Sequence, residues 1–118
     1  MSEKINIRPS SKTGSGHWLM QRFTALALVF LVIWLVFAVI QIAINPSLIK
    51  EVFSNPFNAV LAIIFFAVSL YHGSLGMRVI IEDYIVDNFK KNFYIILVNF
   101  ISVLSVVAAI LAILKIHF

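Results

Sequence analysis

The sequence predicts an all-α integral membrane protein with three transmembrane helices, and three observations carry that prediction. Of the 118 residues, 62% are hydrophobic and only 12% are charged. A soluble domain of this length would carry about twice that charged fraction to clothe its surface. The mean hydropathy is +1.04. The apolar residues also gather into three long runs separated by short polar stretches, each run long enough to cross ~30 Å of hydrocarbon at ~1.5 Å per helical residue.

Residues 1–16 form a polar N-terminal tail containing Lys4, Arg8 and Lys12, with Gly14 and Gly16 near its end. It lacks the short apolar core of a secretory signal, and the first apolar run starts too late and continues too long to be one. A tail of this kind is mobile unless a partner binds it. Residues 17–118 constitute the membrane domain. The first helix is expected over about 18–44, with Trp18 as an interfacial anchor and enough length for some tilt. Its cytoplasmic end is unusually polar, with His17, Gln21, Arg22 and Thr24. Asn45-Pro46 ends it, because a residue before proline is disfavoured in helix.

Residues 46–56 read as a turn containing Lys50 and Glu51. Asn55-Pro56 then has the form of a helix start, with Asn at the cap and Pro in the first helical position. The second helix is expected over about 57–83, residues 86–91 connect, and the third helix covers about 92–116. Asn99, Ser102 and Ser105 recur at spacings of three on that last helix. A small polar stripe of this kind packs against a neighbouring helix. The sequence contains no internal repeat and no low-complexity segment.

Orientation follows from the Lys and Arg residues near the helix ends. With the N-terminus cytoplasmic, the inner side collects Lys4, Arg8, Lys12, Arg22, Arg78, Lys90 and Lys91, and the outer side keeps Lys50 and Lys115. Those basic residues lie at the edges of apolar runs and form no stripe, so the net charge of +4 reports topology and excludes nucleic acid as a partner. The absence of cysteine excludes disulfides, thiolate metal sites and iron–sulfur ligation. Electron transfer through this chain would need a cofactor held by histidine.

His72 lies well inside the second apolar run, at a depth where an ionisable group is costly and by default functional. Taken at ~100° per residue, Gly76, Val79 and Asp83 share its helix face within roughly 40° of it. A flat macrocycle has room against the bare backbone of Gly76, with Gly73 and Ser74 adding small surface nearby. A plain helix–helix contact through the same small residues is the alternative. The imidazole itself has three uses open to it: a hydrogen bond to a neighbouring helix, an axial bond to haem iron, or a place in a proton relay. His72 is eleven positions from Asp83, about 16 Å along the helix. His17 belongs near the surface of Asp83 and His117 near the opposite one, so a second axial ligand would have to come from another chain. Arg22, about 7 Å deeper than His17, is placed to pair with a haem propionate or a quinone oxygen, or else to snorkel to lipid phosphate. Asp83 and Tyr84 fall where water meets hydrocarbon, the level of a quinone head group. There a phenol donates to a quinone carbonyl and a carboxylate orients it or relays protons. The alternative is a solvated helix end whose Glu82, Asp83 and Tyr84 act as interface anchors.

Together, His72-Gly73-Ser74-Leu75-Gly76, the later Asp83-Tyr84 and the stretch Gly16-His17-Trp18-Leu19-Met20-Gln21-Arg22-Phe23-Thr24-Ala25 resemble the small hydrophobic membrane anchors of succinate dehydrogenase, respiratory complex II. The resemblance covers the chain from about Gly14 to its end. It implies a helical bundle formed with a second, cytochrome b anchor subunit, in the inner (cytoplasmic) membrane. His72 would be an axial ligand of haem b shared with that subunit, and Tyr84, beside Asp83, would bind ubiquinone. Arg22 and His17 would lie near the haem propionates or the quinone. A flavoprotein and an iron–sulfur subunit would dock on the cytoplasmic face and carry the succinate chemistry, so this chain is not catalytic alone. An anchor of fumarate reductase and a haem-free membrane assembly or transport subunit are the rival expectations.

Overall fold

The computed structural model describes the backbone of residues 9–118 and side chains from Ser15 onward. Among the described residues the chain is helical, with no strand: α1 is Pro9–Ile44, α2 is Leu48–Ser54, α3 is Pro56–Tyr84 and α4 is Asn88–His117. Three segments, Ser15–Ile44, Pro56–Tyr84 and Asn88–His117, are long and apolar enough to span a membrane. The three expected spans are therefore present, and the chain departs from expectation in three places: before α1, at residues 46–56 and at the start of α4.

The first difference is at the start. The helix already includes Pro9, inside the stretch expected to be a tail, while residues 1–8 of that tail lie outside the described residues. After it, only Gly14 and Gly16 oppose the helix, at about 1 kcal/mol each, and a helix already nucleated by the apolar run propagates through such positions. At 36 residues α1 is about 54 Å long, more than the ~30 Å of hydrocarbon, so its polar turns stand outside the bilayer.

The second difference is α2, in the segment expected to be a turn. Asn45 organises the bend: its side-chain oxygen accepts from Ser47 Oγ at 2.7 Å and from Ser47 N at 3.3 Å. Its carbonyl accepts from Leu48 N at 2.9 Å. A seven-residue helix leaves most of its last carbonyls without intrahelical partners. Two of them are filled from other helices. Asn58 Nδ2 donates to Val52 O at 3.0 Å, and the His117 Nδ1–H donates to Phe53 O at 2.8 Å, since a carbonyl can only accept. Thus α2 is fastened across the end of the bundle by α3 and α4.

The start of α3 is as expected: Asn55 Oδ1 accepts from Phe57 N at 2.9 Å, and Pro56 follows the cap. Asp87 caps α4 by accepting from Lys90 N at 3.1 Å, which shortens the last connection to three residues, Ile85 to Asp87.

Helix α3 lies antiparallel to α1, because Trp34 of α1 bonds Asn58 near the start of α3 whereas Thr24, earlier on α1, bonds His72 later on α3. The buried residues of α1 are Thr24, Leu31 and Ala38, seven apart, the spacing of a left-handed crossing. Ala59, Ala62 and Ile113 form a small core with Trp34, Phe53 and Ile63 packed around it, and the two alanines let the helices approach closely. Asn58 joins α1, α2 and α3 in one bracket, because its amide also accepts from Trp34 Nε1 at 3.1 Å. Asn58→Leu removes both bonds and is expected to destabilise the bundle by about 1 kcal/mol, since interhelical hydrogen bonds in a membrane protein average about 0.6 kcal/mol each. Thermal denaturation in detergent checks this, with Asn58→Gln retaining part of the loss.

Most of the apolar surface faces outward. Phe23, Phe30 and Phe37, again seven apart, stand 65–67% exposed along α1. An apolar exterior of this extent is what a bilayer or an apolar partner covers.

Candidate functional site

The α1–α3 crossing concentrates the polar side chains. His17, Gln21 and Thr24 fall on one stripe of α1, at the four- and three-residue spacings that put side chains over one another. Thr24 is only 6% exposed. Its Oγ1 lies 2.9 Å from His72 Nδ1, 2.8 Å from Met20 O and 3.2 Å from Gln21 O. His72 is thus held by a neighbouring helix through one ring nitrogen. Among the described residues no hydrogen bond reaches its Nε2. The ring forms part of the wall of an open groove of about 490 Å³, otherwise lined by Ala25, Leu28, Val29, Val32 and Ile33 of α1. Apart from the imidazole, that groove is entirely aliphatic.

One turn further along α3, Gly76 faces α1. A Cβ placed there would meet Gln21 Nε2 at 3.7 Å, an ordinary contact, whereas nothing lies within 4 Å of one placed at Gly73. The bare face of Gly76 is therefore turned to a glutamine amide, and the open small surface belongs to Gly73. Gln21 Oε1 and His17 Nε2 are buried without hydrogen-bond partners among the described residues. Two unpartnered polar atoms therefore lie on one stripe of α1.

Arg22 points away from this stripe, exposed, with its guanidinium 5.0 Å from the Trp18 ring centre. At the end of α3, Arg78 pairs with Glu82 at 3.3 Å. An exposed pair one turn apart contributes about 0.3–0.5 kcal/mol at most. It occupies Glu82 and leaves Asp83, also exposed, as the other carboxylate of this turn. Tyr84 is 81% exposed. Its ring borders an apolar recess of about 280 Å³ between α3 and α4, formed with Met77, Ile81, Tyr94 and Val98. The structure brings His72 to Thr24 and Gly76 to Gln21, with His17 one turn further along the same stripe of α1. It does not bring Tyr84 to them: twelve residues from His72, Tyr84 is about 18 Å further along the helix and opens towards α4. No cluster of three or more His, Asp or Glu side chains that could hold an ion occurs among the described residues. A metal at His72 would therefore need its remaining ligands from a macrocycle or another chain.

Two of the three residues of the α4 stripe face α3. Asn99 and Ser102 line a groove with Tyr71 and Ser74 of α3. What sequence reasoning missed is the bond from Thr24 to His72. The signal was present, since residues 17, 21 and 24 share a helix face and His72 needed a partner on another helix.

Comparison with known proteins decides the family. The family model for the succinate dehydrogenase/fumarate reductase transmembrane subunit matches residues 5–112, nearly the whole chain. The chain belongs to that family. The resemblance read from the sequence is therefore correct, and so is the fold class, since this family of transmembrane subunits builds helical membrane bundles. Similar proteins include the succinate dehydrogenase hydrophobic membrane anchor subunits of Rickettsia typhi, 43% identical over 93% of this chain and 89% of that one, and of Rickettsia prowazekii, 41% identical over 87% and 83%. The succinate dehydrogenase membrane anchor subunit of Reclinomonas americana is more distant, 30% identical over 87% of this chain and 89% of its own. As a transmembrane subunit of this family with three spanning helices, the protein is a multi-pass membrane protein.

Proposed function

We propose that this chain is the small membrane anchor of a succinate:ubiquinone oxidoreductase, sharing a haem b and a quinone-reduction site with its neighbours in the inner (cytoplasmic) membrane. The observation that carries the reading is an imidazole held at Nδ1 by Thr24, with Nε2 unengaged, in the wall of an otherwise aliphatic groove. Such a donor suits a bond to haem iron and suits a bare ion poorly, because no group of three or more ligand side chains occurs among the described residues. His72 would hold the haem together with a residue of a larger cytochrome b anchor subunit. When bound, the haem would supply a one-electron redox centre. Arg22, although it points away from the His17–Thr24 stripe, and His17 would supply hydrogen-bond donors for propionate groups or the quinone at the cytoplasmic end of α1.

Tyr84 and Asp83 serve the quinone. Its reduction takes two electrons and two protons. The Tyr84 phenol donates a hydrogen bond to a quinone carbonyl as negative charge grows there, and Asp83 passes protons from the water surface. The Tyr84 recess is apolar and lies at the helix end that the count of basic residues puts in the cytoplasm. The flavoprotein and iron–sulfur subunits dock on that side and oxidise succinate. The apolar exterior of α1, α3 and α4 meets lipid and the second anchor. Purification through a tag on this chain, with its native complex intact, should recover these subunits and succinate-dependent reduction of ubiquinone. Recovery of the chain with unrelated proteins and no such activity contradicts the proposal, and activity confined to menaquinol-driven fumarate reduction favours the opposite direction.

A further inference from the structure

We infer that Thr24 is the positioning residue for His72: its hydroxyl fixes which ring nitrogen carries the hydrogen and so which one keeps its lone pair free. This inference rests on the haem reading above and extends it to a residue on a different helix. The Thr24 hydroxyl has one hydrogen and lies near two carbonyls and one ring nitrogen. Carbonyls only accept. When the hydroxyl spends its hydrogen on Met20 O, at 2.8 Å and one helical turn back, its lone pairs remain for the ring, 2.9 Å away. Nδ1 then has to be the donor, which places the hydrogen there and leaves the lone pair of the neutral imidazole on Nε2. The reverse arrangement, with the hydroxyl donating to Nδ1, leaves the 2.8 Å approach to Met20 O without a hydrogen. The first arrangement uses both short contacts, and the second wastes one.

Burial makes this choice firm. Thr24 is shielded within the α1–α3 crossing, and its neighbours on the same seam, Leu31 and Ala38, can offer Nδ1 nothing. Gln21 lies one turn away, but its amide faces Gly76. The bond also sets the plane of the ring, because it ties α3 to a β-branched residue whose own rotamer is held by bonding back to its helix. Histidines that ligate metals commonly donate their second nitrogen in this way, which orients the ring and raises its basicity.

The test uses the intact complex purified with Thr24→Val, Thr24→Ala and Thr24→Ser. Val keeps the branched shape without the hydroxyl, Ala removes bulk without disturbing the helix, and Ser keeps the hydroxyl. Loss of the hydroxyl is expected to weaken haem retention by about ten- to a hundredfold, the usual effect of removing an outer hydrogen-bond partner of a metal ligand. It should also shift the haem midpoint potential upward and alter the low-spin ferric resonance of the remaining haem, with Ser restoring both. A purely structural role for Thr24 would lower the yield of complex without moving the potential or resonance of the haem that assembles. Should Val prove unable to assemble, Ala against Ser gives the same comparison. Wild-type potential, resonance and haem retention in Val or Ala would overturn the inference. His72→Ala separates the two layers: an unchanged haem spectrum there removes the underlying reading, whereas a changed spectrum with an unaffected Thr24→Val removes only this one.

Discussion

His72→Ala is expected to abolish the six-coordinate, low-spin haem spectrum of the intact complex. The methyl group cannot bond to iron, and no other side chain of the groove can, because Ala25, Leu28, Val29, Val32 and Ile33 carry no donor atom. His17 and His117 belong to other levels of the bundle, the latter fastened to Phe53 O at the opposite end. Loss of the ligand itself should cost at least the ten- to a hundredfold in affinity that loss of an outer partner costs. Haem is then either missing from the purified complex or bound five-coordinate through the partner alone. Optical and magnetic spectra at equal complex concentration measure the effect. Thr24 would be left buried without its ring partner, a loss that its continuing bond to Met20 O softens.

Tyr84→Phe should separate two activities that normally run together. The substitution removes one hydroxyl from a side chain that is 81% exposed, so no packing is lost and assembly should proceed. Succinate oxidation by an artificial dye acceptor should remain at the wild-type rate. Ubiquinone reduction should fall by about a hundredfold, the effect of removing one donor aimed at developing oxygen charge. Asp83→Asn, which keeps shape but not proton exchange, should depress the same activity. Parallel loss of dye and quinone activity in Tyr84→Phe would indicate failed assembly, and unchanged quinone reduction would remove Tyr84 from the site.

The sequence was most informative where one physical constraint acts alone. Hydrocarbon thickness and hydropathy set the three spans, and Asn55-Pro56 announced the start of α3 through a cap whose bond is local. Segments governed by contacts between helices were less legible. The α2 helix depends on Asn58 and His117 reaching it from α3 and α4, partners that no local pattern in residues 46–56 reveals. The helical turns before Trp18 follow from propagation out of a long apolar helix, which competes successfully with two glycines. At the site, the cost of burying an imidazole singled out His72 from sequence, but its hydrogen-bond partner Thr24 depended on the register of α1 against α3. The same register turns Gly76 to Gln21 and leaves Tyr84 facing α4.

The central claim is that His72 is an iron ligand. The most direct measurement is a reduced-minus-oxidised optical spectrum of the wild-type complex isolated through this chain, combined with the ferric resonance of the same sample. The expected result is b-type haem bands and a low-spin ferric signal. A complex active with succinate yet lacking any Soret absorption would contradict it.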